Sequence, residues 1–203
     1  MVVCAAGGLP GELHKLWRAS GPDAYHVEYG YSCMGYEIAG GLGVKLAKPE
    51  KDVVVLVGDG SYLMLNSEIA TSVALGRKLI IVLLDNGGFG CIERLQASVG
   101  GDGYNNLLDS SYATPDAAPR IDFAAHAASL GALAEKADGI DALRSALERA
   151  RNADRTSVVV IETDPAASTE AGGAWWDVPV AEVSDSAPVT AAFESYRRNL
   201  AGR

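Results

Sequence analysis

The sequence has too few basic residues and too short apolar runs for several classes of protein. Its 203 residues include 17 Lys and Arg against 26 Asp and Glu, which gives a net charge of −9. Nucleic-acid binding needs clustered Lys and Arg to neutralise phosphates, so this charge argues against a nucleic-acid partner. The apolar runs are well short of the roughly 20 residues that span a membrane, so no transmembrane helix is expected.

Cysteines and a basic leader are also scarce. Cys4, Cys33 and Cys91 have no metal-ligand spacing, and an odd number of cysteines fits a reduced protein better than a disulfide scaffold. The first residues, MVVCAAGGLPGE, lack the basic segment of a signal peptide. We therefore expect a cytoplasmic protein in which Cys33 and Cys91 are small apolar packing residues.

Apolar runs typical of buried strands alternate with helical patterns along most of the chain. Strands are predicted at residues 2–6, 25–29, 53–57, 79–84, 132–135 and 157–162, and helices at 10–19, 35–47, 66–75, 122–130, 140–152 and 189–200. This alternation indicates a doubly wound, mostly parallel α/β sheet with helices on both faces. We expect one domain at 1–165, a tail at 166–203 packed on it, and a long functional loop at 97–120.

Two turns carry oxygen-bearing side chains at the ends of successive predicted strands. The motif GDGS at 58–61 contains Asp59, and the motif DNGG at 85–88 contains Asn86, 27 residues later (86 − 59). Ligands of parallel α/β sheets bind outside the carboxyl ends of the strands. One carboxylate, one amide oxygen and a backbone carbonyl provide half of an octahedral Mg²⁺ site that phosphates and water complete. Ordinary strand-to-helix turns are the alternative, and a dinucleotide site is disfavoured because no G-x-G-x-x-G follows the first strands.

This pair of motifs resembles the cofactor motif of the thiamin diphosphate-dependent enzymes. The resemblance implies the fold of their C-terminal diphosphate-binding domain, thiamin diphosphate and Mg²⁺ as cofactors, and Asp59, Asn86 and the Gly88 carbonyl as metal ligands. It also implies that Met34, 25 residues before Asp59 (59 − 34), holds the cofactor in its bent shape, although a core methionine is the alternative. Further cofactor contacts are expected from Ser32, Cys33, Gly58, Gly60, Ser61, Phe89 and Gly90.

Longer segments, including AAGGLPGELHKLWRA and YHVEYGYSCMGYEIAGGLGVKLA, resemble one group within this family. These are the trihydroxycyclohexane-1,2-dione hydrolases of myo-inositol catabolism, and only their C-terminal domain is covered. In the family a pyrimidine-binding domain, usually from a neighbouring subunit, supplies the glutamate that activates the cofactor. No segment here resembles that domain, so the resemblance implies a separate pyrimidine-binding chain, a hetero-oligomer, and a chain that is inactive alone.

Several other side chains are candidates for the site. His26 and Glu28 precede the Met34 segment and are the predicted catalytic groups, since imidazole titrates near neutrality; a structural role is the alternative for both. His14 is a weaker candidate, and His126 is expected to be structural. Glu93 could enter the site after the second turn, but a surface charge beside Arg94 is favoured.

Three functions are consistent with these features. The first is the diphosphate-binding part of an enzyme that makes or breaks a C–C bond next to a carbonyl, as in hydrolysis of a cyclic 1,2-diketone, either as a separate subunit or as a fragment of the full hydrolase. The second is a subunit of a split acetolactate synthase-like enzyme that decarboxylates a 2-keto acid and joins it to an acceptor. The third is a non-catalytic assembly module. Trp175 and Trp176 could form a partner surface, or they could pack the tail on its own domain.

Overall fold

A six-stranded, all-parallel sheet forms the centre of the protein in the computed structural model, which describes residues 1–111, 120–169 and 177–202. The strand order is β2-β1-β3-β4-β6-β5. The strands are β1 (Val2–Cys4), β2 (Tyr25–Val27), β3 (Val54–Gly58), β4 (Ile80–Asp85), β5 (Leu133–Ala137) and β6 (Ser157–Glu162). The predicted doubly wound parallel α/β fold is therefore confirmed.

Eight α-helices and one short 3₁₀ helix connect and follow the described strands. They are α1 (Gly8–Leu16), α2 (Tyr36–Ala47), α3 (Asp59–Met64), α4 (Glu68–Ala74), α5 (Gly90–Ser98), the 3₁₀ helix η1 (Asp109–Ser111), α6 (Phe123–Ser129), α7 (Gly139–Asn152) and α8 (Ala187–Ala201). Asp122 caps α6 as expected, since its Oδ1 accepts a hydrogen bond from Ala125 N at 3.0 Å. Within the described ranges, none of the helices has the length and apolar character needed to cross a membrane.

Apolar side chains cover both faces of the sheet. On one face α2, α4 and α6 pack on alternate strand residues such as Val55 and Val158, and on the other α7 packs on Val159 through Ala146. Central strands covered on both faces need continuous apolar sequences rather than alternating ones. This requirement explains why the runs at 53–57, 79–84 and 157–162 were readable as strands.

One of the three glycines of α2 allows close packing on the sheet. A Cβ on Gly41 would lie 2.4 Å from Val55 Cγ2, so only glycine lets α2 approach β3 this closely. A Cβ on Gly40 would lie 2.5 Å from the ring of Tyr36. A Cβ on Gly43 would have no atom within 4 Å, so Gly43 lowers the helix preference of α2 without allowing closer packing.

Two helices of the structure have no counterpart among the predicted helices. Helices α3 and α5 were not delimited by the sequence, and α5 extends into the predicted loop at 97–120, of which 112–119 lie outside the described residues.

The segment after β6 contacts the domain at two places. Lys15 Nζ donates a hydrogen bond to Thr169 Oγ1 at 2.8 Å, and Arg94 Nη1 donates one to Pro165 O. Trp175 and Trp176 also lie outside the described residues, so their role stays a prediction.

The order of the strands places a crevice at the carboxyl edge of the sheet. The chain runs from β1 to β2 on one side and returns to β3 on the other side of β1, so the connections leave in opposite directions. Ligands of open α/β sheets bind outside such a reversal. The turns after β1 and β3 and the start of α2 meet at this point.

Candidate functional site

The turn after β3 buries a carboxylate. Asp59 is 1% exposed, and its Oδ1 accepts a hydrogen bond from Gly60 N at 2.9 Å. No described residue donates a hydrogen bond to its buried Oδ2. The pKa of Asp59 is raised to about 6, mainly by burial and in part by the nearby Asp85 carboxylate, against the opposing effect of hydrogen bonds from backbone N–H groups. A buried carboxylate oxygen without a donor is costly, which points to a positively charged ligand.

The turn after β4 lies beside the first one because β3 and β4 are neighbours, with Gly58 opposite Leu84. Backbone hydrogen bonds hold it against the following loop: Phe89 N donates to Asn106 O and Leu108 N to Gly87 O, both at 2.7 Å. Gly88 has a φ of +134°, and a Cβ there would lie 2.7 Å from Asn106 O. Glycine is therefore required where the Gly88 carbonyl is presented.

The predicted metal ligands come together. With its Nδ2 turned inward, Asn86 donates to Asp59 Oδ1 at 3.2 Å and to Gly88 O at 2.8 Å. With its amide oxygen turned inward, three oxygens face one another, an arrangement that a cation stabilises. The described residues contain no cluster of three or more His, Cys, Asp or Glu that could hold a metal. The site instead offers one carboxylate, one amide and one carbonyl, and this hard-oxygen set together with the unpaired Asp59 Oδ2 fits Mg²⁺.

The two turns also touch through Gly60 and Phe89. A Cβ on Gly60 would lie 2.6 Å from Phe89 Cε1, so the ring packs directly on the glycine backbone. Gly90 begins α5, and a Cβ there would lie 3.1 Å from Asn86 Nδ2. Gly58 ends β3 and has open space at the same position. Phe89, Gly60 and Gly90 are thus grouped around the predicted ligands, as the resemblance implied.

The loop that carries Met34 joins the same region. Ser32, with φ of +51°, and Cys33 are exposed, whereas Met34 is half-buried. Gly35 N, next to Met34, donates to Ser61 Oγ at 2.7 Å and so connects this loop to the turn after β3. The cofactor contacts expected from Ser32, Cys33 and Met34 stay predictions, but the loop lies where they require it.

Glu28 holds the backbone of this loop on its exposed side. Its carboxylate accepts hydrogen bonds from Cys33 N at 2.7 Å and Tyr31 N at 3.2 Å, and these bonds lower the pKa of Glu28 below its ordinary value. The carboxylate of Glu28 in turn raises the pKa of the Cys33 thiol. The prediction that Cys33 is a packing residue is wrong because its side chain is exposed, whereas Cys91 is half-buried.

The histidines lie apart from the two turns. His26 Nε2 is 2.6 Å from Tyr36 Oη, and its ring faces a cavity of about 370 Å³ whose lining includes Met1 and Lys48. That cavity opens at the amino edge of β1, opposite the edge that holds Asp59. The His14 ring lies tilted against that of Tyr29, with ring centroids 5.1 Å apart. A catalytic role for His26 stays a prediction that this placement does not favour.

His126 and Glu93 have internal partners. His126 Nδ1 lies 2.8 Å from Tyr62 Oη, in agreement with its expected structural role. Glu93 accepts a hydrogen bond from Asn106 Nδ2 at 2.9 Å. Since Asn106 holds the backbone of Phe89, Glu93 supports the second turn and is not a bare surface charge beside Arg94.

Sequence reasoning overlooked Glu37. It is 1% exposed and contacts the Met34 loop and the turn after β3 through Gly35 and Ser61. A signal was present, because Glu37 is the only charged residue in the first two turns of the apolar helix YEIAGGLGVKLA. A lone acid in such a helix indicates a specific polar partner.

Comparison with protein families decides the relationship. Residues 5–161 match the family described as "Thiamine pyrophosphate enzyme, C-terminal TPP binding domain". The chain belongs to this family. The matched region contains both turns, the Met34 loop and Glu37, and it ends within β6.

Curated relatives in this family include hydrolases of similar sequence. The chain is 42% identical over 200 residues to the 3D-(3,5/4)-trihydroxycyclohexane-1,2-dione hydrolase of Shouchella clausii, covering 98% of this chain and 31% of the relative. It is 44% identical over 204 residues to hydrolase 2 of that name from Bacillus cereus, covering 98% and 32%. The resemblance stated from the sequence is therefore confirmed, and the chain spans about a third of the length of these relatives.

Solved structures of the thiamine pyrophosphate enzymes share the fold. Benzoylformate decarboxylase from Polynucleobacter necessarius superposes with a TM-score of 0.66 at 22% identity, covering 81% of this chain and 30% of that one. The thiamine diphosphate-dependent 4-hydroxybenzoylformate decarboxylase of Rhodococcus jostii gives a TM-score of 0.61 at 20% identity, covering 70% and 25%. At these identities the likeness concerns the fold alone.

Proposed function

We propose that this chain anchors the diphosphate of thiamin diphosphate through Mg²⁺ at the carboxyl ends of β3 and β4. The observation that carries the proposal is the buried Oδ2 of Asp59, which lacks a donor among the described residues and lies where Asn86 and the Gly88 carbonyl converge. Asp59, Asn86 and Gly88 O would hold the metal. The remaining positions of an octahedral Mg²⁺ belong to diphosphate oxygens and water.

The bound cofactor would supply a carbon nucleophile for making or breaking a C–C bond next to a carbonyl. The residues of this chain would anchor and orient it. The backbone of Gly60 and the ring of Phe89, which packs on it, would border the diphosphate. Met34 would support the cofactor from the facing loop, because that loop is tied to Ser61 through Gly35.

The reaction is proposed to be the hydrolytic cleavage of a cyclic 1,2-diketone. The names of the curated hydrolases and their 42% and 44% identity support this substrate class. Water would add across the bond between the two carbonyl carbons and open the ring, so that one product carries a carboxylic acid at one end and an aldehyde at the other. A cytoplasmic location agrees with such metabolism and remains a prediction.

A pyrimidine-binding chain or domain is proposed as the partner that supplies the activating glutamate. The support is an exposed apolar surface beside the site. Tyr31 is 92% exposed in the Met34 loop, and Met64 is 56% exposed at the end of α3. Large exposed apolar groups that are clustered on a protein surface mark contacts with partners. Their position next to the predicted cofactor site fits a partner that completes the site.

Reconstitution tests the proposal. The chain would be assayed with thiamin diphosphate and Mg²⁺, first alone and then with the pyrimidine-binding partner, against a cyclic 1,2-diketone and against a 2-keto acid. We expect diketone cleavage only in the assembled protein, with the ring-opened product identified by NMR from its carboxylate and aldehyde ends. Decarboxylation of the 2-keto acid instead would favour the carboligase alternative. Turnover by this chain alone would contradict the need for a partner.

A further inference from the structure

Glu37 is a buried carboxylate held by neutral donors. It is 1% exposed in the first turn of α2, and Glu is rarely buried so completely unless its oxygens are satisfied. Ala6 N donates to Oε1 at 3.3 Å and Gly35 N donates to Oε2 at 3.1 Å. Ser61 Oγ lies within 2.8 Å of Oε1 and 2.7 Å of Oε2. Its position at a helix amino terminus adds a favourable interaction with the helix dipole.

These donors come from three separate segments at the carboxyl edge of the sheet. Ala6 follows β1, Gly35 follows Met34, and Ser61 is two residues after Asp59. They meet where the strand order reverses between β1 and β3. One carboxylate therefore fixes the distance between the Met34 loop and the turn that presents Asp59.

The hydrogen bonds also determine what Ser61 can do. Its hydroxyl has one proton, and both oxygens of Glu37 lie within reach of it, so that proton is committed to Glu37. Gly35 N donates to the Ser61 oxygen at 2.7 Å, and the side chain is 4% exposed. The Ser61 hydroxyl therefore has no proton left to donate to a diphosphate, and only the backbone of Ser61 can make that contact.

We propose that Glu37 is a positioning residue that acts through Ser61 to set the turn after β3 against the Met34 loop. This inference rests on the proposed function, since it assigns the fixed geometry to cofactor binding. The role differs from that of a metal ligand, because Glu37 faces Ser61 and Gly35 while Asp59 faces Asn86 and Gly88. It also differs from a packing role. A glutamine of the same size would fill the same space, but it would offer one accepting oxygen to Ala6 N, Gly35 N and Ser61 Oγ where Glu37 offers two.

The test is a double-mutant cycle with Glu37→Gln, Ser61→Ala and the two combined. The amide nitrogen that Glu37→Gln introduces cannot accept a hydrogen bond, so one buried N–H loses its partner or Ser61 turns away. Asp141→Asn is the matched control, because Asp141 is also in the first turn of a helix but is exposed. Thiamin diphosphate affinity with Mg²⁺ would be measured by calorimetry in the protein with its pyrimidine-binding partner. Denaturant unfolding without cofactor provides the second readout.

We expect Glu37→Gln to weaken cofactor affinity by about tenfold, equivalent to about 1.4 kcal/mol. Ser61→Ala should lose a similar factor, and the double variant should lose no more than either single variant, because both break the same connection. The unfolding free energies should show the same non-additivity. Asp141→Asn should leave cofactor affinity unchanged and alter the unfolding free energy little, because it affects only an exposed ion pair with Arg144.

Two results would overturn the proposal. One is unchanged affinity in a folded Glu37→Gln protein. The other is a loss of about 100-fold in the double variant, since independent effects multiply and the Ser61 hydroxyl would then contact the cofactor by itself. If the Glu37→Gln protein does not fold, an unchanged thiamin diphosphate affinity in the Ser61→Ala protein would overturn the proposal in the same way. Failure of the unsubstituted assembly to bind thiamin diphosphate would overturn the proposed function, while non-additive unfolding would still establish the connection between Glu37 and Ser61.

Discussion

The turns after β3 and β4 bring oxygen atoms to the same place but are held in different ways. The first turn is buried and is held by side chains, because Ser61 is hydrogen-bonded to Glu37 and the Asp59 side chain is buried. The second is half-buried and fixed by the backbone, through the hydrogen bonds of Gly87 and Phe89 with the following loop. Side-chain acceptors therefore position the charged ligand, whereas glycine conformations position the carbonyl ligand.

The largest expected effect removes the charged ligand from the first turn. Asp59→Ala should abolish Mg²⁺-dependent binding of thiamin diphosphate in the assembled protein, while Asn86→Ala, which removes a neutral ligand, should only weaken it. Calorimetry measures both. The metal-free Asp59→Ala protein should unfold at no lower denaturant concentration than the parent, because an unpaired buried carboxylate has been removed. Unchanged cofactor affinity in this variant would remove Asp59 from the metal site.

The next effect concerns the backbone of the second turn. Gly88→Ala should lower the free energy of unfolding by about 3 kcal/mol, because it adds both backbone strain and a contact with Asn106 O. Gly87→Ala is the matched control, since Gly87 has φ of +78° but open space around a Cβ, so strain alone should cost about 1 to 2 kcal/mol. Equal losses in urea unfolding would mean that the contact with Asn106 is unimportant.

A smaller effect is expected where the two turns touch. Gly60→Ala should cost about 1 to 3 kcal/mol of unfolding free energy, because the new methyl group meets the ring of Phe89. Gly58→Ala, two residues earlier, has open space and should cost much less. Combining Gly60→Ala with Phe89→Leu should recover part of the loss. Without any recovery, the packing of Phe89 on Gly60 does not join the two turns.

The smallest effect concerns the Met34 loop, which Glu28 holds from outside and Glu37 from inside. Glu28→Gln should lower the pKa of the Cys33 thiol toward its ordinary value, because the adjacent carboxylate that raises it is gone. More Cys33 would then be thiolate at a given pH above neutrality, so its alkylation would be faster. Site-resolved mass spectrometry across a pH series measures this, with Glu50→Gln as an exposed control. An unchanged alkylation profile would show that Glu28 does not hold the loop beside Cys33.

Some features of the site were readable from residue order and others were not. The ends of β3 and β4 were predictable because their strands are continuous apolar runs. Helix α5 was not predicted because it begins at a glycine within a glycine-rich turn, although the residues that follow include good helix formers. The described part of the loop at 97–120 could not be assigned from local sequence, because its bridge between Gly88 and Leu107 joins residues 19 positions apart (107 − 88).

The sequence by itself determined the parallel α/β fold, the family and the two oxygen-bearing turns, because apolar period and short motifs are local properties of the chain. Only the tertiary structure decided how these pieces meet. It places Asn86 and Gly88 against Asp59, pairs His26 with Tyr36, and buries Glu37 between three segments. Partners such as Ala6 and Ser61 lie 31 and 24 residues from Glu37, so no local pattern specifies their contact. The order of the strands in the sheet brings them together.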